Sequence, residues 1–160
     1  MISKASIHSG DWMSLSHGDR FDMRGRSLTG FNNPSALGCS VYKVPPGKQA
    51  FPKHTHLAND EAIFVIAGRG TLTVGEESSA VGEGDFVLMP RGADNAHQLV
   101  NDGDTDLTYL CMSTMNHPDV VHYPNSDKLG VLPAPWSPKG PGKLGGFYKA
   151  HAADYFDGED

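Results

Sequence analysis

Between residues 37 and 114 the chain alternates short apolar runs with clusters of turn-forming residues. Residues 37–45 read as a strand, stopped by Pro45-Pro46-Gly47. Glu61-Ala62-Ile63-Phe64-Val65-Ile66-Ala67 is a nearly continuous apolar run that ends at Gly68. It is too short for an ordinary helix and rich in β-branched residues, which predicts a strand. Residues 70–75 alternate around Leu72 and Val74, and the polar turn Gly75-Glu76-Glu77-Ser78-Ser79 joins them in a hairpin to a segment starting at Ala80. Gly82-Glu83-Gly84-Asp85 turns the chain again. Phe86-Val87-Leu88-Met89 is a short strand ended by Pro90-Arg91-Gly92. Residues 96–100 and 107–114 give two more strands, separated by Asn101-Asp102-Gly103-Asp104. Turns that recur about every 8–12 residues are the rhythm of an all-β sandwich or barrel.

The flanks read differently. Residues 1–36 predict an irregular N-terminal arm with one or two short strands, in which Trp12, Met13, Leu15 and Phe21 are free to pack on a neighbouring surface. Residues 116–146 are rich in proline and glycine, with Trp136 and then Phe147 as isolated aromatics, and predict an irregular tail wrapping the barrel. Residues 150–160 predict a short helical turn and a frayed acidic end. The 160 residues amount to one domain, 1–160, with a core barrel at about 37–115, the arm at 1–36 and the tail at 116–160. A chain of this size buries about 68–70% of its unfolded surface, enough to fold without staples.

Composition narrows the function. Thirteen Lys and Arg stand against nineteen Asp and Glu, a formal net charge of −6, and no basic run occurs. A nucleic-acid partner requires a basic stripe to neutralise phosphates, so that class is excluded. No apolar run approaches the about 18 residues of a membrane span, and no signal-peptide pattern opens the chain. A cytoplasmic protein with no membrane association is the expectation. Cys39 and Cys111 have no metal-ligand spacing and sit in apolar runs, as two buried, reduced thiols would.

The candidate chemistry lies in His54-Thr55-His56, Glu61 and His97. On a strand, residues i and i+2 face the same side, so the two imidazoles of the pair project together. Two solvated histidines near a turn would show the same spacing. Leu57-Ala58-Asn59-Asp60 lets the chain reverse and return Glu61 beside the pair, and a buried carboxylate needs a cation. His97 opens the strand at 96–100, where a satisfied core histidine is the plain alternative.

Gly47, His54-Thr55-His56, Glu61 and Gly68 at their spacing resemble the first motif of the cupins, and Gly84, Pro90-Arg91-Gly92, His97 and Asn101 resemble the second. One departure is that four residues, Ala93-Asp94-Asn95-Ala96, separate Gly92 from His97 where the common pattern has two. An even insertion preserves strand alternation, so His97 can still face inward. The resemblance implies a double-stranded β-helix, the jelly-roll barrel. It implies that His54, His56, Glu61 and His97 bind one divalent transition metal, such as Zn, Mn, Fe, Ni or Co. It also implies turn roles for the glycines and Pro90, a structural role for Asn101, and a homodimer.

His117-Pro118-Asp119-Val120-Val121-His122-Tyr123 is similar to a segment of small single-domain cupins, some provisionally labelled sugar-phosphate isomerases. The implied function is binding of a small polar molecule and its isomerisation: a sugar, a sugar phosphate or a hydroxy-carbonyl compound, through a metal-stabilised enediolate. A metal-dependent dioxygenase and a non-enzymatic ligand-binding cupin are the alternatives. The catalytic base is unknown from sequence. Glu61 is a weak candidate because a ligand is a poor free base, and Tyr42, Lys43, Tyr109 and Glu83 stay open. Lys53, Arg69 and Arg91 are the cations to consider for a phosphate, and His8, His17, His117, His122 and His151 read as surface or supporting residues.

Overall fold

Alternation in the central segments dictates which side chains face inward, and the strands pair accordingly. A computed structural model describes residues 4–30, 35–133 and 144–159, so Trp136 lies outside the described residues. The strands are β1 (Met13–His17), β2 (Phe21–Ser27), β3 (Leu37–Val44), β4 (Thr55–His56), β5 (Glu61–Ala67), β6 (Arg69–Val74), β7 (Glu77–Gly82), β8 (Phe86–Met89), β9 (His97–Val100), β10 (Leu107–Thr114), β11 (Asp119–Tyr123), β12 (Lys128–Leu132) and β13 (Gly146–Tyr148). The described residues hold no α-helix, only a three-residue 3-10 turn at Pro124–Ser126.

Three sheets form, ordered β1-β2-β3-β10-β5-β8, β7-β6-β9 and β13-β12-β11-β4, and all their strand pairs are antiparallel. The fold is all-β, as the turn rhythm predicts, and a jelly-roll barrel, as the cupin resemblance implies. Inward-facing Val44, Ile63, Val65, Leu72, Val81, Met89, Leu107 and Tyr109 make the core. At Gly68 (φ +82°) a Cβ would lie 2.5 Å from the carbonyl oxygen of Asp106, so only glycine lets β5 pass directly into β6 here. Asn101 is fully buried and clasps the far end of the barrel. Its amide donates to the carbonyls of Val44 (2.7 Å) and Thr105 (2.8 Å), and its oxygen accepts from the Gly103 N–H (3.0 Å).

Several details differ from the expectations or refine them. The hairpin turn is only Gly75-Glu76, and β7 starts at Glu77 rather than Ala80. Glu77, Ser78 and Ser79 lie on an exposed edge strand, where polar residues serve as well as apolar ones. The tail is not irregular throughout. Residues 119–123 and 128–132 form β11 and β12, and β11 pairs with β4 through Val121 opposite His56. The arm builds onto its own chain. β2 pairs with β3, and the Trp12 ring lies against the Arg26 guanidinium (4.3 Å) and the Lys43 ammonium (5.6 Å). At the C-terminus residues 155–158 form exposed turns. Both cysteines are free thiols and half-buried rather than fully buried.

No helix among the described residues is long and apolar enough to cross a membrane.

Candidate metal centre

The strand ends bring four side chains to one point inside the barrel. His54 precedes β4 and makes an isolated antiparallel bridge with His97, at the head of β9. The two backbone hydrogen bonds are 3.1 and 2.7 Å and leave the rings 4.6 Å apart. His56 follows on the same face, while Thr55 between them points away, fully buried, and donates to the Gly92 carbonyl (2.6 Å). Glu61 opens β5 after the reversal at 57–60. Its Oε2 lies 2.9 Å from His97 Nε2, 3.8 Å from His56 Nε2 and 3.9 Å from His54 Nε2. Atoms of His54, His56 and Glu61 lie within 4.8 Å of one another, and His97 joins them through Glu61. The longer connection before His97 folds as a turn at 92–95, and His97 faces inward.

The other nitrogen of each imidazole is anchored. His54 Nδ1–H donates to the Pro52 carbonyl (2.8 Å), and His56 Nδ1–H donates to Asp119 Oδ2 (2.6 Å). His97 Nδ1–H donates to the Asn95 carbonyl (3.2 Å). Each anchor aims Nε2 toward Glu61, and a hydrogen-bonded Nδ1 raises the basicity of Nε2 as a ligand. Three imidazole nitrogens and one carboxylate, without thiolate, suit a divalent transition ion.

Electrostatics agree with that use. Burial alone would raise the Glu61 carboxyl, but the hydrogen bond with His97 and the neighbouring His56 and His54 hold it at about 2. Burial pushes His54 down to about 4, so its ring is neutral at physiological pH. Burial would also lower His56, but the hydrogen bond to Asp119 and the charges of Glu61 and Asp119 outweigh it and raise it.

Asp119 is the functional residue that sequence reasoning missed. It is 1% exposed and accepts from His56, from Asn59 Nδ2 (2.9 Å) and from the Ala58 N–H (2.9 Å). These bonds overcome the effect of burial and lower its carboxyl pKa. The signal available was Asp119-Val120-Val121, a β-branched pair in alternation behind a single acid. Tyr123 was missed as well. It stacks on His54 (5.8 Å) and closes one wall with Phe147 (5.9 Å).

The centre opens into a cavity of about 280 Å³. Of the candidate bases, Tyr42 and Tyr109 line it, and burial raises both hydroxyls. Lys43 faces Trp12 outside, and Glu83 sits in an exposed turn. Cys111 also lines the cavity and donates S–H to Glu61 Oε1 (3.7 Å), its thiol raised by burial. The cations named from sequence point elsewhere. Lys53 Nζ donates to the Gly75 carbonyl (2.7 Å), Arg91 pairs with Asp60 (3.6 Å), and Arg69 is exposed. His117 and His122 stay outside the cavity, while His8, His17 and His151 are exposed.

The cupin domain profile matches residues 40–113, the stretch that holds both motifs. A crystal structure from Acidithiobacillus ferrooxidans, of a protein provisionally named a sugar phosphate isomerase, is 33% identical. The match covers 69% of this chain and 70% of that one, with a TM-score of 0.63. This chain belongs to the cupin superfamily. A cupin-superfamily sugar phosphate isomerase from Silicibacter pomeroyi shares the fold, with a TM-score of 0.71 at 20% identity over 87% of this chain and 99% of that one. An uncharacterized protein of Methanocaldococcus jannaschii is 31% identical over 70 residues, 44% of this cupin. That match spans about half of the relative's length, 54%.

Proposed function

We propose that this cupin is a metal-dependent isomerase of a small sugar, sugar phosphate or hydroxy-carbonyl compound, working as one domain. The observation that carries the reading is the convergence of three anchored imidazoles and one carboxylate at the floor of the cavity. His54, His56, Glu61 and His97 would hold the ion, which would supply Lewis acidity to a substrate carbonyl oxygen.

The chain's own groups then divide the proton work. Isomerisation of a hydroxy-carbonyl compound removes a proton from one carbon and returns it to the next. The tyrosines and Cys111 in the cavity all keep their protons, because burial raises them. Tyr42 and Tyr109 therefore serve as hydroxyl donors to substrate oxygens. Glu61 is the lining carboxylate; as a ligand held at about 2 it is a weak base, and its Oε1, which accepts from the Cys111 thiol (3.7 Å), is the atom proposed to relay the proton.

The partner is a small molecule, and a second copy of the chain is the expected protein partner. Supporting the latter, the outward face of β5 and β8 exposes Phe64 (38%), Phe86 (61%) and Leu88 (58%) in adjacent rows. A cytoplasmic location is proposed with this reading.

Solvent exchange tests the reaction. Metal-loaded protein is incubated under argon in D₂O with dihydroxyacetone, its phosphate and 2-hydroxyacetophenone, and followed by NMR. Deuterium appearing at the α-carbon supports an isomerase. Turnover that requires O₂ would replace it with a dioxygenase, and ligand binding without exchange or turnover would leave a binding cupin.

A further inference from the structure

The cavity that carries the proposed isomerase reading has walls of unusual chemistry for a sugar-phosphate site. None of its described lining residues is lysine or arginine. Phosphate recognition rests on charge-assisted hydrogen bonds from such side chains or on a helix N-terminus, and the described residues contain no α-helix. Lys53 and Arg91 are committed to Gly75 and Asp60. Lys128 holds its ammonium 5.3 Å from the Tyr123 ring centre but does not line the cavity.

Away from the floor the walls are aromatic and aliphatic, with Phe51, Leu72, Leu99, Tyr123, Leu132 and Phe147 facing the space. Polar groups left for a ligand are few. The Gln98 amide nitrogen is already bound to Gln49 (3.0 Å) and the Phe51 carbonyl (3.1 Å), which leaves the Gln98 side-chain oxygen and the Tyr42, Tyr109 and Tyr123 hydroxyls. A sugar buried here would leave unpaired those hydroxyls that face the aromatic and aliphatic walls, and each such loss weakens binding. A flat apolar group would instead gain from burial against the same walls.

We propose that the cavity takes an uncharged, enolisable carbonyl compound with a chelating hydroxy-ketone or β-dicarbonyl head and a flat apolar body, and that it rejects phosphorylated sugars. The inference rests on the proposed centre: the head reaches His54, His56, Glu61 and His97, and the body lies against Phe51, Tyr123 and Phe147.

Calorimetric titration of protein loaded with one equivalent of Co(II) tests it, with the visible spectrum of the ion reporting contact at the centre. The probes are 2-hydroxyacetophenone, dihydroxyacetone and dihydroxyacetone phosphate, which share one head. The aryl ketone is expected to bind at least five-fold more tightly than dihydroxyacetone, and the phosphate no more tightly than dihydroxyacetone. Phe147→Ala, at a side chain 56% exposed and so dispensable for folding, should weaken the aryl ketone at least three-fold and leave cobalt content unchanged. Tightest binding by the phosphate, a smaller aryl preference, or binding of none of the three overturns the inference while cobalt uptake leaves the centre standing. Failure to take up cobalt overturns the centre itself, and the inference with it.

Discussion

Asp119 Oδ2 sits 2.6 Å from His56 Nδ1, joining strand β11 to the first motif across 63 residues of sequence. The contact fixes both the tautomer and the plane of the His56 ring. Carboxylates that orient a ligating histidine typically contribute 10–100-fold to metal affinity. Asp119→Ala is expected to weaken binding of Zn(II) by that factor in competition with a chromophoric chelator. Because Asp119 is buried, Asp119→Asn is the companion variant. It keeps the volume and loses the charge, and should fall between the two. Unchanged affinity in both variants would remove His56 from the ligand set.

The ligand assignment has its own test. Elemental analysis of protein purified without a histidine tag should find about one equivalent of a divalent transition metal. His54→Ala and His97→Ala should each retain less than about a tenth of that while keeping the wild-type circular dichroism spectrum. Equal metal content in all three proteins would sink the four-ligand centre.

What the sequence revealed follows from distance along the chain. Strands β5, β6, β8 and β10 were legible because alternation and turn residues are local signals. The His54, His56 and Glu61 cluster was legible for the same reason, lying within eight residues. The Asp119–His56 contact was not, since no local pattern says which strand β4 will meet. β11 and β12 were hidden because prolines and glycines around them outweighed the Val120-Val121 signal. The start of β7 was hidden by Ser78 and Ser79, whose polarity suits an edge strand as well as a turn.

Acid should destabilise the metal-free protein in two overlapping stages. His54 titrates at about 4 when folded and near 6.5 when unfolded. Between these values the unfolded chain binds more protons, so stability falls as the pH drops from about 6.5 to about 4. Glu61 is at about 2 folded against 4.5 unfolded, and its contribution is lost from about 4.5 down to about 2. His56 works in the opposite sense. Its folded value is raised, so its contribution is full below the unfolded value and fades as the pH rises through the folded one. Urea unfolding at pH 7, 6, 5 and 4 should show the midpoint falling, and His54→Gln should flatten the stretch between 6.5 and 4 by on the order of 2 kcal/mol. A midpoint that rises toward pH 4 would contradict this electrostatic account.

The outer face of the largest sheet gives the last prediction. Phe64 pairs with Phe86, and Ala62 with Leu88, across β5 and β8, and Leu110 of β10 continues the first row inward. β8 is the edge strand, so the patch ends where backbone groups are also free to pair. An exposed apolar row on such an edge favours association with a like surface, and a two-fold axis would place Phe86 and Leu88 of each copy against the other. A charge introduced there has no partner across the interface and is repelled by its own symmetry mate. Wild-type protein is expected to run as a dimer in light scattering, and Phe86→Glu as a monomer at the same concentration. Since Phe86 is 61% exposed, the variant should keep its unfolding free energy within about 0.5 kcal/mol of wild type once dimer dissociation is accounted for. A dimer that survives Phe86→Glu and Leu88→Glu would move the interface to another face of the barrel.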